Sequence, residues 1–463
     1  MEALTVPRFV LSGVGAGVGK SVIAVGLAVA LRKRNVSLSC CVVGSDLVEA
    51  LILRRLTRRY VSLIDSRLLS NAQILSAVHR SSVGADLLMI EGSKGLYDGV
   101  SPGSLRCSDA EVAALSRTNV VLVVDATGLG NSLAALVSGF SSFAQGFSLA
   151  GVVVNRTKRV AGEERDKIYY DCALQSFGMP SLIGALPELD IAMPPHCDEF
   201  YHRRNRASLP LQFFVEMGNI VTQHIDIDEL VRRAGQAPNV KLTDVEHRPA
   251  GRRCRIAVSE DNCFSLCYQD NLDQLRYFGA ELVPFSPLAD SSLPKKVGGV
   301  YLTGAALAEY GQELSNNKSM RQAIKSFAQS GGVLFSEGAG TAYLCDAFQY
   351  SDEGELADGV GLIPGRALWD ERGHSFSEAV TVEDSVLGRA GLILKGLETG
   401  EWRLEESRKS VRTLRVSYSG GAPVEEGFSA TAQAVSTFLF THWGSNPQIA
   451  RNLVDAAEIV CRL

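Results

Sequence analysis

Near the start of the chain the run Gly13-Val14-Gly15-Ala16-Gly17-Val18-Gly19-Lys20-Ser21 sets alternating glycines before a lysine and a hydroxyl. Glycines at a strand-to-helix turn let successive backbone N–H groups curl around phosphate oxygens, a lysine neutralises the terminal phosphates, and a serine hydroxyl ligates Mg²⁺. The run departs from the strict G-x-x-x-x-G-K-[ST] spacing, because Val14 holds the place of the leading glycine and Gly13 lies one residue earlier. A glycine-rich turn without a ligand is the plain alternative; Gly-Lys-Ser between an apolar run and a helical segment favours phosphate. Gly13, Gly15, Gly17, Gly19, Lys20 and Ser21 are the expected binding set for ATP or another nucleotide, with Lys20 also acting in catalysis.

Carboxylates recur at the ends of the apolar runs that follow. Glu91 closes Met89-Ile90-Glu91-Gly92, Asp46 follows the run Leu38 to Val43, and Asp98 lies in Gly95-Leu96-Tyr97-Asp98-Gly99. Open α/β sheets bind ligands beyond the carboxyl ends of their strands, so these acids share an edge with the phosphate loop. Glu91, with Ser21 and Asp46, is an expected Mg²⁺ ligand; alone it reads equally as a solvated strand terminus. Asn155 and Arg156 follow another apolar run, where Asn155 either contacts the base or caps the strand.

These residues need a sheet to hold them. Short apolar runs at Phe9 to Leu11, Leu38 to Val43, Asp86 to Ile90, Val120 to Val124 and Leu149 to Val154 alternate with helix-period segments, the pattern of buried parallel strands with crossover helices. The first half is thus expected to be a doubly wound parallel α/β domain over 1–232. A polar, Gly- and Pro-containing stretch, 233–253, reads as a linker, and RIAVSE from Arg255 opens a second α/β domain over 254–463.

At 463 residues two domains are the default. The composition, 46% hydrophobic and 21% charged with a net charge of −5, matches an ordinary globular protein and gives no general attraction to nucleic acid or acidic membranes. The cluster Arg54, Arg55, Arg58 and Arg59 reads as a solvated helix face. Ten scattered cysteines without a C-x-x-C pair, no signal-peptide pattern and no apolar run of membrane-spanning length make the cytoplasm the expected compartment.

The segments FVLSGVGAGVGKS, VVGSD, MIEGSKGLYDG, VVLVVDATGLGNS and AGVVVNR resemble the ATP-binding domain of the cobyrinic acid a,c-diamide synthase family, relatives of dethiobiotin synthetase. GAELVPFSPLAD, NNKSMRQAIKSFAQSGG and WGSNPQIA extend the resemblance over nearly the whole chain. It implies a C-terminal domain of the class I glutamine amidotransferase type, ATP and Mg²⁺ as cofactors, and amidation of corrin or related tetrapyrrole carboxylates through an acyl phosphate. Lys20 and Ser21 would then serve ATP and Mg²⁺, Glu91 the metal, and Asp46 and Asp98 the phosphorylated intermediate. A monomer or homodimer is implied as well.

The chain also departs from that family. The family's nucleophilic cysteine, in Glu-Cys-Gly-Gly, meets Glu337-Gly338-Ala339-Gly340 here, and glycine has no side chain with which to form a thioester. The family's Gly-Gly-Tyr-Pro-Glu loop reads Thr303-Gly304-Ala305-Ala306-Leu307, and its His-x-His pair reads Phe440-Thr441-His442, with His442 expected to be a packed or surface residue. Cys345, expected within the following helix and turned to the core, is a poor substitute nucleophile. Val42 to Leu47 replaces Lys-Val-Gly-Pro-Asp-Tyr, and Lys94 stands where the family has methionine, either as a cation near the phosphates or as a solvated loop residue. Two readings follow: an amide ligase fed with ammonia from solution or a separate amidase subunit, and a non-catalytic nucleotide- or tetrapyrrole-binding module. A partitioning-type ATPase fits less well, having a lysine near the start of its loop where this chain has Gly15 and Ala16.

Overall fold

The computed structural model describes residues 3–462 apart from 45–46, 144–145, 158–162, 190–210, 243–249, 306, 352, 371–374, 399–401, 409–410 and 419–422. The described residues fall into two compact units, 3–189 with 211–242, and 250–462.

In the first unit a two-residue strand β1 (Ala3–Leu4) precedes β2 (Arg8–Gly13), β3 (Leu38–Val43), β4 (Val61–Ile64), β5 (Leu87–Gly95), β6 (Val120–Asp125), β7 (Leu149–Thr157) and β8 (Leu182–Pro187). The last seven form one parallel sheet in the order β4-β3-β5-β2-β6-β7-β8. Helices α1 (Lys20–Lys33), α2 (Leu47–Thr57), α3 (Asn71–Ser82) and α4 (Asp109–Leu115) lie between the earlier strands. Strands covered on both faces must be apolar throughout, which is why Val120 to Val124 is buried at every residue. Ile23, Leu27 and Leu31 of α1 are buried at i, i+4 and i+8; each contributes about 1.5–3 kcal/mol by burial.

β2 is the switch point of this topology. The chain leaves it for β3, returns to fill β5 between them, and only then crosses to β6 on the other side. Loops after β2 and β5 therefore diverge above a crevice at the carboxyl edge, the place where such sheets receive ligands.

Part of the segment expected as linker belongs to the first unit. Val240–Lys241 pairs antiparallel with β1, and the buried Arg8 guanidinium donates to Pro238 O at 2.5 Å, Ser116 O at 3.0 Å and Thr118 Oγ1 at 3.0 Å. A buried guanidinium must find acceptors, and the backbone at Pro238 supplies one. Burial also draws the Arg8 pKa down to about 10.

The second unit carries a ten-stranded mixed sheet. Ala280–Phe285, Cys254–Ser259, Gly299–Leu302, Val333–Glu337 and Ala434–Thr437 are its parallel part, in that order, and antiparallel strands continue it to Leu439–Thr441 at the far edge. The unit also holds a separate four-stranded sheet within 345–405. Trp443, fully buried, packs its ring 5.3 Å from those of Tyr301 and Phe335 and anchors one face of the parallel strands. Cys345 lies just past the helix Ala339–Leu344, as the first residue of the strand Cys345–Gln349, because the helix ends after six residues.

Candidate nucleotide site and the glutaminase elbow

The Gly13 to Ser21 run forms a loop between β2 and α1, with Gly19 at φ 97°, a left-handed conformation that glycine adopts without strain. Loop carbonyls are held by side chains of the site itself. Lys20 Nζ donates to Gly15 O at 3.1 Å, Arg156 Nη2 to Gly17 O at 3.0 Å, and Asn155 Nδ2 to Val18 O at 2.9 Å. With the carbonyls engaged from behind, the loop N–H groups are left for an anion. A Cβ added at Gly15 or Gly17 would meet no atom within 4 Å, so space stands open beside the loop.

Lys20 is buried, its ammonium donating also to Lys94 O at 2.5 Å. Burial lowers its pKa, while the charges of Asp109, Glu49, Glu91 and Asp98 oppose that shift. The side chain of Lys94 is exposed; its contribution to the site is this backbone carbonyl.

Glu91 is completely buried against Ser21, Lys20 and the Glu49 carboxyl group, and neither of its oxygens makes a hydrogen bond of regular geometry there. Burial, then the adjacent Glu49 carboxylate, push its pKa well above the usual range; Ser21 and Lys20 pull it down. A buried acid beside Ser21 and a second acid suits a hard cation, and Mg²⁺ takes one or two carboxylates, a hydroxyl and phosphate oxygens rather than an all-protein cage. No cluster of three or more His, Cys, Asp or Glu side chains suited to a metal occurs among the described residues. Asp46 lies outside the described residues.

Asp98 is exposed and accepts from Gly95 N at 3.0 Å, closing the turn after β5 close to Gly15. Asn155 is engaged with the phosphate loop through its amide nitrogen, and Arg156, at φ 56°, pairs with Asp125 and reaches Gly17. Two acids of the site were missed in the sequence. Glu49 and Asp109 each sit in the first turn of a helix, where an acid is accounted for by the helix dipole and Ser108 reads as an N-cap. Asp109, nearly fully buried, accepts from Ser12 Oγ at 2.5 Å and Ser93 N at 3.0 Å; burial raises its pKa to about 6.

In the second unit, Gly338 sits at the turn from Val333–Glu337 into the helix Ala339–Leu344 with φ 54° and ψ −131°, a strained region reserved for glycine or for residues held there by their surroundings. The turn has the shape of a nucleophile elbow. A Cβ built on Gly338 would lie 2.3 Å from Phe440 Cζ, and one on Gly304 2.5 Å from Phe440 Cε1. The buried Phe440 ring therefore fills the space a nucleophile's side chain would need. His442 is fully buried, its ring 4.7 Å from that of Tyr268 and Nε2 3.6 Å from Asp270 Oδ2. Cys345 is buried too, its thiol directed at Thr341 O, and burial raises its pKa far above the ordinary thiol range. Glu337, before the elbow, accepts from Tyr301 Oη and Thr441 N and Oγ1, and burial lifts its pKa to about 8.

A phosphate-loop α/β unit and an α/β unit with a nucleophile-type elbow, in one chain, are the two parts of an ATP-dependent amidotransferase plan. Residues 255–447 match the CobB/CobQ-like glutamine amidotransferase domain. Along its length the chain is similar to the cobyrinate a,c-diamide synthases. It is 29% identical to that of Syntrophotalea carbinolica, covering 98% of this chain and 99% of that protein, and 28% identical to that of Leptospira interrogans with the same coverage. The cobyrinate a,c-diamide synthase of Archaeoglobus fulgidus is 29% identical, with 98% of each chain covered. Among the described residues no helix is long and apolar enough to cross a membrane.

Proposed function

We propose that the protein is an ATP-dependent amide ligase acting on the side-chain carboxylates of a tetrapyrrole of the cobalamin pathway, and that its nitrogen comes as ammonia from outside the chain. The observation that carries this reading is the fully buried Glu91 carboxyl group set beside Ser21, Lys20 and a second acid, Glu49, at the phosphate loop. Left to itself a buried acid beside a second acid costs the fold stability, whereas a cation between Glu91 and the phosphates offsets that cost.

Bound Mg-ATP would supply an electrophilic γ-phosphoryl group: a substrate carboxylate oxygen takes it, ADP leaves, and ammonia then displaces phosphate to give the amide. The chain's part is alignment and charge compensation. The loop N–H groups hold the phosphates, Lys20 offsets charge on them, and Ser21, Glu91 and Asp46 hold the cation. Asp98 stands exposed at the loop's edge, where an acid beside the incoming carboxylate and ammonia can accept a proton. Asn155 keeps the loop in its binding shape through Val18 O.

The second unit acts in this reading as a structural domain without glutamine hydrolysis, because Gly338 offers no nucleophile and Phe440 fills its place. The test is mass spectrometry of cobyrinic acid, and of sirohydrochlorin as a second tetrapyrrole polycarboxylate, after incubation with protein and Mg-ATP. Mass changes of one amide per carboxylate with ammonium, and none with glutamine, are expected. No amidation and no ADP with either nitrogen source, despite nucleotide binding, would establish the alternative, a nucleotide- or tetrapyrrole-binding module, which the altered elbow favours. Amidation with glutamine alone would refute the assignment of the second unit.

A further inference from the structure

β2 and β5 run in register at Leu11 opposite Glu91 and again at Gly13 opposite Gly95, so a single residue of β2, Ser12, faces three of β5, Gly92, Ser93 and Lys94. This is a bulge in the middle of the nucleotide site. Glu91 stands immediately before it, and its last residue, Lys94, carries the carbonyl that receives the Lys20 ammonium. A bulge breaks ladder hydrogen bonds and re-aims the side chains around it.

The break is filled by Asp109, which reaches in from the first turn of α4. One carboxylate oxygen accepts from the Ser12 hydroxyl on β2, the other from the Ser93 N–H on β5. Gly92 leaves the room for it, since a Cβ there would fall 1.9 Å from Asp109 Oδ2. Ser12 and Asp109 are both about fully buried, so the bond between them would not be replaced cheaply by water, while Ser93, on the other side of the bridge, is exposed. Asp109 also faces Lys20 as the first of the acids that favour its charged form.

We propose that Asp109 is a positioning residue of the nucleotide site: by bridging Ser12 and Ser93 across the β2–β5 bulge, it sets where Glu91 and the Lys94 carbonyl stand relative to Lys20. In this assignment it acts through these groups rather than by contact with phosphate or metal. The inference rests on the reading of this site as one for Mg-ATP, and it adds a requirement that the phosphate-loop motif does not contain.

The test compares wild type, Asp109→Ala and Asp109→Asn in three measurements on the full chain: Mg-ATP affinity by calorimetry, the Mg²⁺ concentration that half-saturates nucleotide binding, and amide hydrogen exchange at Ser93 to Gly95 without ligand. In D109A the affinity should fall about tenfold or more, the Mg²⁺ requirement should rise, and the Ser93 amide should exchange faster. D109N keeps an oxygen for Ser93 N–H and an amide for Ser12, and should stay within about threefold of wild type. A D109A protein that melts at a lower temperature yet binds Mg-ATP with unchanged affinity and Mg²⁺ requirement overturns the proposal, leaving a purely structural acid. D109N as weak as D109A also overturns it, since charge and not position would then be the requirement. If wild type binds no Mg-ATP, the nucleotide reading itself fails, an outcome distinct from equal binding by wild type and D109A.

Discussion

Replacing Gly338 with cysteine restores the residue that a glutaminase elbow needs, and the structure indicates that this single change will not restore a glutaminase. The new Cβ would lie 2.3 Å from Phe440 Cζ and 2.6 Å from Cε2, against an ordinary carbon contact of about 3.5–4.0 Å. The ring cannot swing aside toward Gly304, which it already meets on another side, and it is 1% exposed. Forcing atoms into a packed site costs about 1–3 kcal/mol, and a side chain at φ 54°, ψ −131° adds about 1–3 kcal/mol of backbone strain. G338C should thus lose about 2–6 kcal/mol. Phe440→Ala leaves a cavity and should lose about 3–5 kcal/mol by itself. In the double variant the thiol occupies part of that cavity and the overlap disappears, so the two losses should fall short of additivity by about 1–3 kcal/mol. Urea denaturation of the four proteins closes this cycle, and ammonia release from glutamine is measured on the same samples. Strict additivity, or glutamine hydrolysis by G338C alone, would show that Phe440 is not what occupies the elbow.

Three other outcomes are expected. Glu91→Gln should leave the melting temperature of the ligand-free protein within about 2 °C, because burial and Glu49 already favour the protonated acid that glutamine resembles, while Mg-ATP turnover falls about 100-fold or more for want of an anionic ligand; thermal melts and ADP release measure both. Glu337 holds its proton in the folded state up to about pH 8 but in the unfolded chain only to the usual carboxyl range, so between those values the unfolded state binds fewer protons and stability declines as pH rises, by at most ~1.4 kcal/mol per pH unit. Urea melts from pH 5 to 9 should show this decline flattening above pH 8, and E337Q should lack it; equal profiles would exclude Glu337 as the source. Cys345 should resist iodoacetamide in the folded protein and react after unfolding, as read by peptide mass spectrometry; modification in the native state would contradict its burial.

The strands of the first unit were legible because each is covered on both faces and so reads as an unbroken apolar run; Leu38–Val43 has the same bounds in sequence and structure. β4 and β8, the sheet's edges, carried no such run in the reading: Val61–Ile64 is only four residues, and Leu182–Pro187 holds a glycine and a proline. The strands between Cys345 and Thr441 alternate polar and apolar residues around turns, and only their pairing identifies them. At the site, the phosphate loop and Glu91 were visible because their chemistry follows from adjacent residues. Asp109 and Glu49 were not, since what makes them part of the site is a sheet bulge and a neighbouring strand end, both created by folding. In the sequence Phe440 reads only as the replacement of a histidine; that its ring lies against Gly338 is a tertiary fact.

The elbow at Gly338 also bears on how firmly the second unit is held. Enzymes that keep a nucleophile in this backbone conformation carry its strain, and an open, hydrated pocket around it, as a permanent cost of function. Here glycine adopts the conformation without that strain, and the Phe440 ring fills the space beside it, so the turn is packed as ordinary interior. The elbow should therefore be among the slower-exchanging parts of the unit, and the backbone around Gly338 should unfold with the parallel strands rather than before them.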